Sequence, residues 1–350
     1  MSKPNCESLM GRAVELSKHG FPAPNPRVGC VIELDGEIVG EGYHDHAGGP
    51  HAEVMALKEA GEKARGSTVY VTLEPCNHHG RTGPCTEALI AAGVKRLVYA
   101  VSDPNPAASG GAARLRAAGV DVAEGHPMST EAMLANHKWL NAVRLQRPYV
   151  IGKVAISLDG RPALPNGLSK WITGPEARYQ GHVLRAECGA VLVGRGTVER
   201  DNPALTVRDI DVVNQPLRIV IDRYRTLPMN RKIFDRKAPY LRVVASSPGP
   251  HEVEATIEDN QIQLEDLLSK LYKLGVTGLL VEGGATTMSR FLEAKLINRL
   301  EMFIAPRILG SGQPWATFGA ITDLAGAQQW SYSSIRSIED DLWITAYPVG

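Results

Sequence analysis

The spacing of apolar positions changes period several times along the chain, and each change marks an element. Residues 5–19 carry Leu9, Ala13, Val14 and Leu16 at helical spacing. Residues 28–34 and 37–43 alternate as two strands around Asp35-Gly36, a pair that favours a tight hairpin. HAEVMALKEAGEK (51–63) predicts a helix stopping near Gly61, and TVYVTL (68–73) predicts a strand. Residues 86–93 form a short helical pattern with a glycine cap. Residues 95–101 predict a strand, 111–119 a helix and 120–125 a last short strand. Alternating strand and helix predicts a layered α/β domain.

A long helical pattern over 129–146 then meets Arg147-Pro148, where a new apolar run, YVIGKVAISL, begins. Proline resists continuation of a helix, so the domain boundary is expected there, with domains 1–146 and 147–350. The second half repeats the alternation. Strands are expected at 149–157, 189–194, 217–222, 241–246, 278–282 and 300–305, and helices at 175–187, 264–274 and 286–297. The polar stretch 247–262 is expected on the surface. No internal repeat, low-complexity tract or heptad pattern is present.

Composition narrows the partners. A chain of 350 residues suits two domains, and 43% hydrophobic with 22% charged residues excludes wholesale disorder. Lys+Arg and Asp+Glu both count 38, which gives no basic footprint for long nucleic acid and points to a small-molecule partner. No apolar run approaches the roughly 18 residues of a membrane span, and the polar N-terminus has no secretory core. Five cysteines (6, 30, 76, 85 and 188) are too few and too odd for a disulfide framework, so a cytoplasmic location is expected. Cys6, Cys30 and Cys188 read as ordinary thiols, and Trp139, Trp315, Trp330 and Trp343 as core or interface.

The first chemical signal is His51-Ala52-Glu53 at a helix start, Pro75-Cys76 after a strand, and Cys85 opening another helix. One imidazole and two thiolates suit zinc and leave a fourth position for water. Helix starts favour the thiolate form. Glu53, two residues past His51, cannot share the metal but can move a proton between an activated water and a leaving amine. H-x-E with P-C-x-x-C is the zinc-deaminase signature, yet eight residues separate Cys76 from Cys85 here. A closed structural zinc with His78 or His79 as fourth ligand is the alternative.

NPRVGCVI (25–32), GEGYH (40–44), HAEVMAL (51–57), VTLEPCNHHGRTGPC (71–85) and DPNP (103–106) resemble the deaminase half of a bifunctional riboflavin-biosynthesis family. That family joins a diaminohydroxyphosphoribosylaminopyrimidine deaminase to a 5-amino-6-(5-phosphoribosylamino)uracil reductase, and in it the long cysteine spacing is usual. The resemblance implies a cytidine-deaminase-like three-layer domain, zinc on His51, Cys76 and Cys85, and proton transfer by Glu53. It places Asn25 and His44 near substrate; a turn-capping Asn and a surface His are the plain alternatives.

The second half alone says less. VEGGATTMSRFL (281–292) reads as strand, glycine turn and helix start, an anion-binding arrangement, and GRGT (194–197) also follows a strand. Neither is the full G-x-G-x-x-G fingerprint, and both could be ordinary turns. KVAISLDGR (153–161), SKWITGPEAR (169–178), the block 184–208, RIVID (218–222), VEGGATT (281–287) and IAPRILG (304–310) resemble the same family's reductase domain. This implies a dihydrofolate-reductase-like α/β fold that uses NADPH.

By that resemblance substrate contacts fall on Ser169, Arg185, Leu205, Arg208 and Glu282. Arg185 and Arg208 would suit a phosphate, and Glu282 the sugar hydroxyls. Cofactor contacts fall on Ala155, Trp171, Thr197, Asp201, Gly284, Ala285, Thr286 and Thr287. Arg223 is expected at the NADPH 2′-phosphate on charge and position alone. Lys153 or Asp201 could supply the proton as the sugar ring opens; a strand-surface lysine and a turn aspartate are the plain alternatives. The family also implies a homodimer. The competing function is a zinc deaminase of a free base, nucleoside or tRNA with a non-catalytic C-terminal domain.

Overall fold

The computed structural model describes residues 6–78, 83–317, 319 and 321–349. The chain divides into two compact units between Leu145 and Gln146.

The first unit is built on a five-stranded sheet in the order β2-β1-β3-β4-β5. Its strands are β1 (Gly29–Leu34), β2 (Glu37–Tyr43), β3 (Thr68–Leu73), β4 (Arg96–Val101) and β5 (Asp121–Glu124). β1 pairs antiparallel with β2 and β3, and β3-β4-β5 are parallel. The hairpin turn is Asp35-Gly36, both at positive φ, as the dipeptide predicts. Strand alternation sends the sheet's side chains to two cores. Cys30, Ile32, Val69, Val71, Leu97 and Tyr99 meet α2 (Ala52–Ala60), α3 (Cys85–Ala92) and α4 (Gly111–Ala117) on one face. Val31, Tyr70, Val98 and Ala100 meet α1 (Cys6–Ser17) and α5 (Ser129–Ala135) on the other. The result is three layers.

The single helix expected over 129–146 is two, α5 and α6 (His137–Leu145), broken at Asn136. Asn136 is 4% exposed and clamps the backbone of Arg27: Arg27 N donates to Oδ1 at 2.7 Å and Nδ2 donates to Arg27 O at 2.5 Å. That pairing steadies the 24–28 loop and costs the helix its continuity.

The second unit has a nine-stranded sheet ordered β10-β9-β8-β7-β13-β6-β14-β16-β15. Its strands are β6 (Tyr149–Ser157), β7 (Ala190–Gly194), β8 (Leu217–Ile221), β9 (Tyr240–Val244), β10 (Glu252–Glu254), β13 (Gly278–Val281), β14 (Arg299–Ala305), β15 (Trp330–Ile338) and β16 (Asp341–Pro348). β11 (Ile257–Glu258) and β12 (Gln261–Ile262) form a separate hairpin. Strands β10 through β14 in that order are parallel, and the last two are antiparallel. One face packs on α9 (Leu264–Lys273) and α10 (Ala285–Glu293), the other on α7 (Pro175–Cys188) and α8 (Arg195–Asp201).

Three features depart from expectation. α8 replaces a simple GRGT turn. The β15-β16 hairpin arises from sequence without apolar alternation; most of β15 is exposed on both faces. Within the polar stretch 247–262, Ala255 and Ile262 are each 1% exposed and anchor it to the core.

Candidate active sites

In the first unit the ends of elements converge. His51 has extended backbone and its carbonyl accepts from Met55 N at 3.1 Å, which opens α2. Pro84 precedes α3, so Cys85 is its first residue. Two glycines permit the approach. A Cβ on Gly42 would sit 2.2 Å from Ala52 O, and one on Gly111 would sit 1.9 Å from Pro75 O. The sheet therefore meets α2 directly, and α4 starts against the residue before Cys76.

His51 Nδ1 lies 3.1 Å from Cys85 Sγ and 3.6 Å from Cys76 Sγ. The three donor atoms lie within 4.8 Å of one another. Tetrahedral zinc with ordinary Zn–N and Zn–S lengths needs an N···S edge of ~3.6 Å, so the donors fit with a shift of about half an ångström at Cys85. Cys85 backbone N also donates to Cys76 Sγ at 3.4 Å. A hydrogen bond from Cys85, with His51 adding to it against the effect of burial, holds the Cys76 thiol down at about 4; the same shared proton and burial push Cys85 up. One proton between two sulfurs is what a divalent cation displaces. Glu53 is 3% exposed, and burial raises its pKa against the pull of His51.

His51, Glu53 and Cys76 line a cavity of about 470 Å³. Asn25 and His44 meet on its wall. His44 Nδ1 faces Pro50 O at 2.9 Å and must donate, so Nε2 accepts from Asn25 Nδ2 at 2.9 Å. His44 is buried, which removes the surface-histidine alternative. The Asn25 carbonyl oxygen is left to the cavity. His78 lines the cavity but is not one of the three clustered donors; His79 lies outside the described residues.

Trp139, expected in core or interface, lines this cavity, as do Glu74, Asp103 and Asn105. Glu74 accepts from Ala112 N at 2.9 Å and Asp103 N at 3.3 Å, tying two loops together. Burial pushes the Asp103 carboxyl up to about 6, with Glu74 adding to it. The only sequence signal for Glu74, Asp103 and Asn105 was their place inside the LEPC and DPNP blocks.

In the second unit a cavity of about 530 Å³ lies at the carboxyl ends of β6, β7 and β13, the usual crevice of an open parallel sheet. Tyr149, Ile151, Lys153 and Ala155 share one face of β6 by alternation, the face under α7. Lys153 thus lines the cavity beside Gly181 and over the Phe303 ring at 5.6 Å, not the outer surface. Burial lowers its pKa against the pull of Glu282.

Arg185 grips Glu282 in a two-pronged pair, Nε to Oε1 at 2.6 Å and Nη2 to Oε2 at 2.9 Å. Burial would raise Glu282; the Arg185 guanidinium, with Lys153, overrides it and holds the carboxyl at about 2. Arg185 Nη1 donates to Thr206 O at 3.0 Å. The guanidinium fork expected to face a phosphate is therefore spent within the protein.

Ser169, Trp171, Thr197, Asp201, Leu205 and Arg208 also line this cavity. Arg178 lies 4.7 Å over the Trp171 ring. Leu205 holds φ 55, a strained loop geometry that keeps it at the wall. Thr197 Oγ1 accepts from Gly284 N at 3.1 Å, joining α8 to the start of α10. A Cβ at Gly194 or Gly283 would lie 2.5 Å from the Thr287 side chain, so both glycines make room for that junction. The nine-residue α10 starts at Ala285, followed by Thr286 and Thr287, and its first-turn amides suit a dinucleotide phosphate. Arg223 lies apart from this cavity: it donates to Asn260 O and Oδ1 and stacks on Tyr224.

A His/Cys/Cys site beside a buried glutamate on a three-layer α/β fold defines a zinc hydrolase of the deaminase class, joined here to a parallel-sheet unit with its own cavity. Residues 3–101 match the cytidine and deoxycytidylate deaminase zinc-binding region, and residues 148–343 match the RibD C-terminal domain. The chain is 43% identical over 358 residues to the riboflavin biosynthesis protein RibD of Escherichia coli, covering 96% of this chain and 97% of that one. It is 42% identical over 348 residues to RibD of Aquifex aeolicus, covering 96% and 92%. Among solved structures, Acinetobacter baumannii RibD superposes with TM-score 0.88 at 39% identity, covering 98% and 99%. A Thermotoga maritima diaminohydroxyphosphoribosylaminopyrimidine deaminase/5-amino-6-(5-phosphoribosylamino)uracil reductase superposes with TM-score 0.84 at 36% identity, covering 98% of both chains. The chain belongs to the RibD family of riboflavin biosynthesis proteins. Its cofactors are Zn2+ and NADPH.

Proposed function

We propose that residues 1–146 hydrolytically deaminate 2,5-diamino-6-ribosylamino-4(3H)-pyrimidinone 5′-phosphate. Residues 147–350 then reduce the ribosyl group of the resulting 5-amino-6-(5-phosphoribosylamino)uracil to ribityl. The observation that carries the reading is His51 Nδ1 within 3.6 Å of both cysteine sulfurs, with Glu53 buried in the same cavity.

His51, Cys76 and Cys85 would hold the zinc ion, which supplies Lewis acidity toward water near neutral pH. Glu53 takes a proton from the attacking water and delivers it to the departing amine, so water and the aminopyrimidine give a carbonyl and ammonia. Asn25, oriented by His44, offers its carbonyl oxygen to a pyrimidine N–H. In the second unit Ser169, Leu205 and Arg208 would hold the substrate, and Ala155, Trp171, Thr197, Asp201 and residues 284–287 would hold NADPH, which would supply the hydride. Lys153 gives a proton to the sugar oxygen as the C1′–O bond opens, its lowered pKa making the proton easier to release. Glu282, held ionised by Arg185, accepts from the sugar hydroxyls.

We extend the reading to a homodimer in the cytoplasm. Among the described residues no helix is long and apolar enough to cross a membrane, and Cys30, Cys76 and Cys85 form no disulfide. Free thiols support a reducing compartment. The homodimer rests on the family, and sedimentation at a single-chain mass would remove it. No observation favours a deaminase with an idle C-terminal domain.

The test is a coupled assay on Glu53→Ala. It is expected to retain zinc, lose ammonia release, and still oxidise NADPH when given the deaminated intermediate. Loss of both activities together would contradict separate sites.

A further inference from the structure

Residues 203–208 form a wall of the second cavity through Pro203, Leu205 and Arg208. They run between α8 and β8 outside any helix or strand, and among the described residues no main-chain to main-chain hydrogen bond reaches them. The backbone geometry here is costly as well: Asn202, Leu205 and Asp209 hold positive φ, at 43°, 55° and 63°. Left to itself, such a segment would relax to other shapes. Side chains hold it instead.

Arg218, fully buried on β8, donates through Nη1 to Ala204 O at 3.3 Å. Arg185 donates to Thr206 O at 3.0 Å. Gln215, half-buried just before β8, takes both main-chain groups of one residue: Val207 N donates to its Oε1 at 2.8 Å, and its Nε2 donates to Val207 O at 3.2 Å. A main-chain N–H only donates, so the side-chain amide has one orientation here. Peptide groups are planar, and each contact therefore fixes a plane rather than an atom. Val207 N belongs to the peptide that begins at Thr206, and Val207 O to the peptide that ends at Arg208. Gln215 thus ties down two consecutive planes, and with them the Cα from which the Arg208 side chain leaves. That guanidinium has little support of its own, a 3.5 Å contact to Thr206 Oγ1. Gln215 itself is not among the residues lining the cavity.

We propose that Gln215 is a positioning residue of the second unit: its amide fixes the 206–207 and 207–208 peptides and so presents Leu205 and Arg208 to the substrate without touching it. The assignment rests on the reading of this unit as a reductase whose substrate meets that wall. A segment released from the clamp holds the competent shape for only part of the time, and apparent affinity falls by that fraction. Bound substrate restores the shape, so turnover at saturation is kept.

The test follows NADPH oxidation by the full chain with the deaminated intermediate. Gln215→Met keeps the side-chain length and loses both hydrogen bonds. It is expected to raise the KM for the intermediate about tenfold, with kcat and the KM for NADPH within about twofold of wild type. Gln215→Glu keeps the acceptor for Val207 N but sets a second oxygen against the Val207 carbonyl, and is expected to do no better than Met. An unchanged KM in the Met variant, a kcat that falls as far as KM rises, an equal rise in the KM for NADPH, or wild-type kinetics in the Glu variant overturns the assignment. Should the variants fail to fold, amide hydrogen exchange of the wild type replaces them. Val207 and Leu205 are 4% and 3% exposed, but only the Val207 N–H has a partner among the described residues. Val207 is expected to exchange more slowly than Leu205 once intrinsic rates are removed, and equal exchange is the contrary result. A wild type that oxidises no NADPH with the intermediate refutes the reductase reading, and exchange at Val207 then still decides the clamp; a wild type that turns over beside an unaltered Met variant refutes this assignment alone.

Discussion

The two cavities handle buried charge in opposite ways. The first is lined by Glu53, Glu74, Asp103 and the Cys76 sulfur, and no lysine or arginine appears among its described lining residues. The second is lined by Lys153, Lys170, Arg178, Arg185 and Arg208 against Asp201, Asp209 and Glu282, with its deepest carboxylate and guanidinium already paired. One is short of a cation and the other has cationic groups to spare. A metal completes the first, whereas the second is complete as a protein and receives anions. The integrity of the first site should therefore depend on zinc, and that of the second on an internal ion pair.

The largest effect should come from the first site. Zinc removal by chelation, or His51→Ala, is expected to abolish ammonia release and lower the melting temperature of the first unit, while NADPH oxidation of the deaminated intermediate continues. Glu53→Gln should retain zinc and lose ammonia release by about 10²- to 10⁴-fold, the worth of positioned proton transfer. Metal content and ammonia release, measured on one preparation, separate the two cases.

The corresponding break in the second site is Glu282→Gln, which leaves Arg185 buried without its partner. Removing one member of such a pair costs about 3–5 kcal/mol, read by denaturant unfolding of the second unit. The pH dependence follows from the sign of the shift. Glu282 sits at about 2, below its ordinary value of ~4.3. Its contribution is full above the ordinary value and is lost as pH falls through the folded one. Between about pH 4.3 and 2 the wild type should lose more stability than Glu282→Gln; parallel pH profiles would show that the pair contributes nothing.

The same contrast governs what can be read from sequence. His51, Cys76 and Cys85 lie within short motifs at the ends of predicted elements, so their chemistry and their convergence were legible together. Cys30 and Ile32 on one face of β1 and Val31 on the other follow directly from alternation. The Arg185–Glu282 pair was not legible, because its members are 97 residues apart and each looks, alone, like a substrate ligand. The break at Asn136 was hidden because the apolar pattern runs through it; its cause is a backbone clamp on Arg27, 109 residues away. Strand β15 was missed because a strand exposed on both faces has no apolar alternation.

Smaller effects sharpen the picture. Gly111→Ala should cost about 1–3 kcal/mol of stability and loosen zinc retention, since its new methyl displaces the Pro75 carbonyl beside Cys76. Unchanged stability and metal content would mean that α4 shifts freely. Arg223→Ala should leave NADPH binding unchanged, because Arg223 is held by Asn260 and Tyr224 apart from the cavity. A roughly tenfold loss of NADPH affinity with NADH affinity kept would return Arg223 to the cofactor site.

Zinc-edge X-ray absorption on active protein tests the central claim most directly. One zinc per chain is expected, with two sulfurs at ~2.3 Å, one imidazole nitrogen near ~2.0 Å and a fourth light atom exchangeable with solvent. Active protein without zinc, or a zinc closed by a fourth protein ligand, would contradict it.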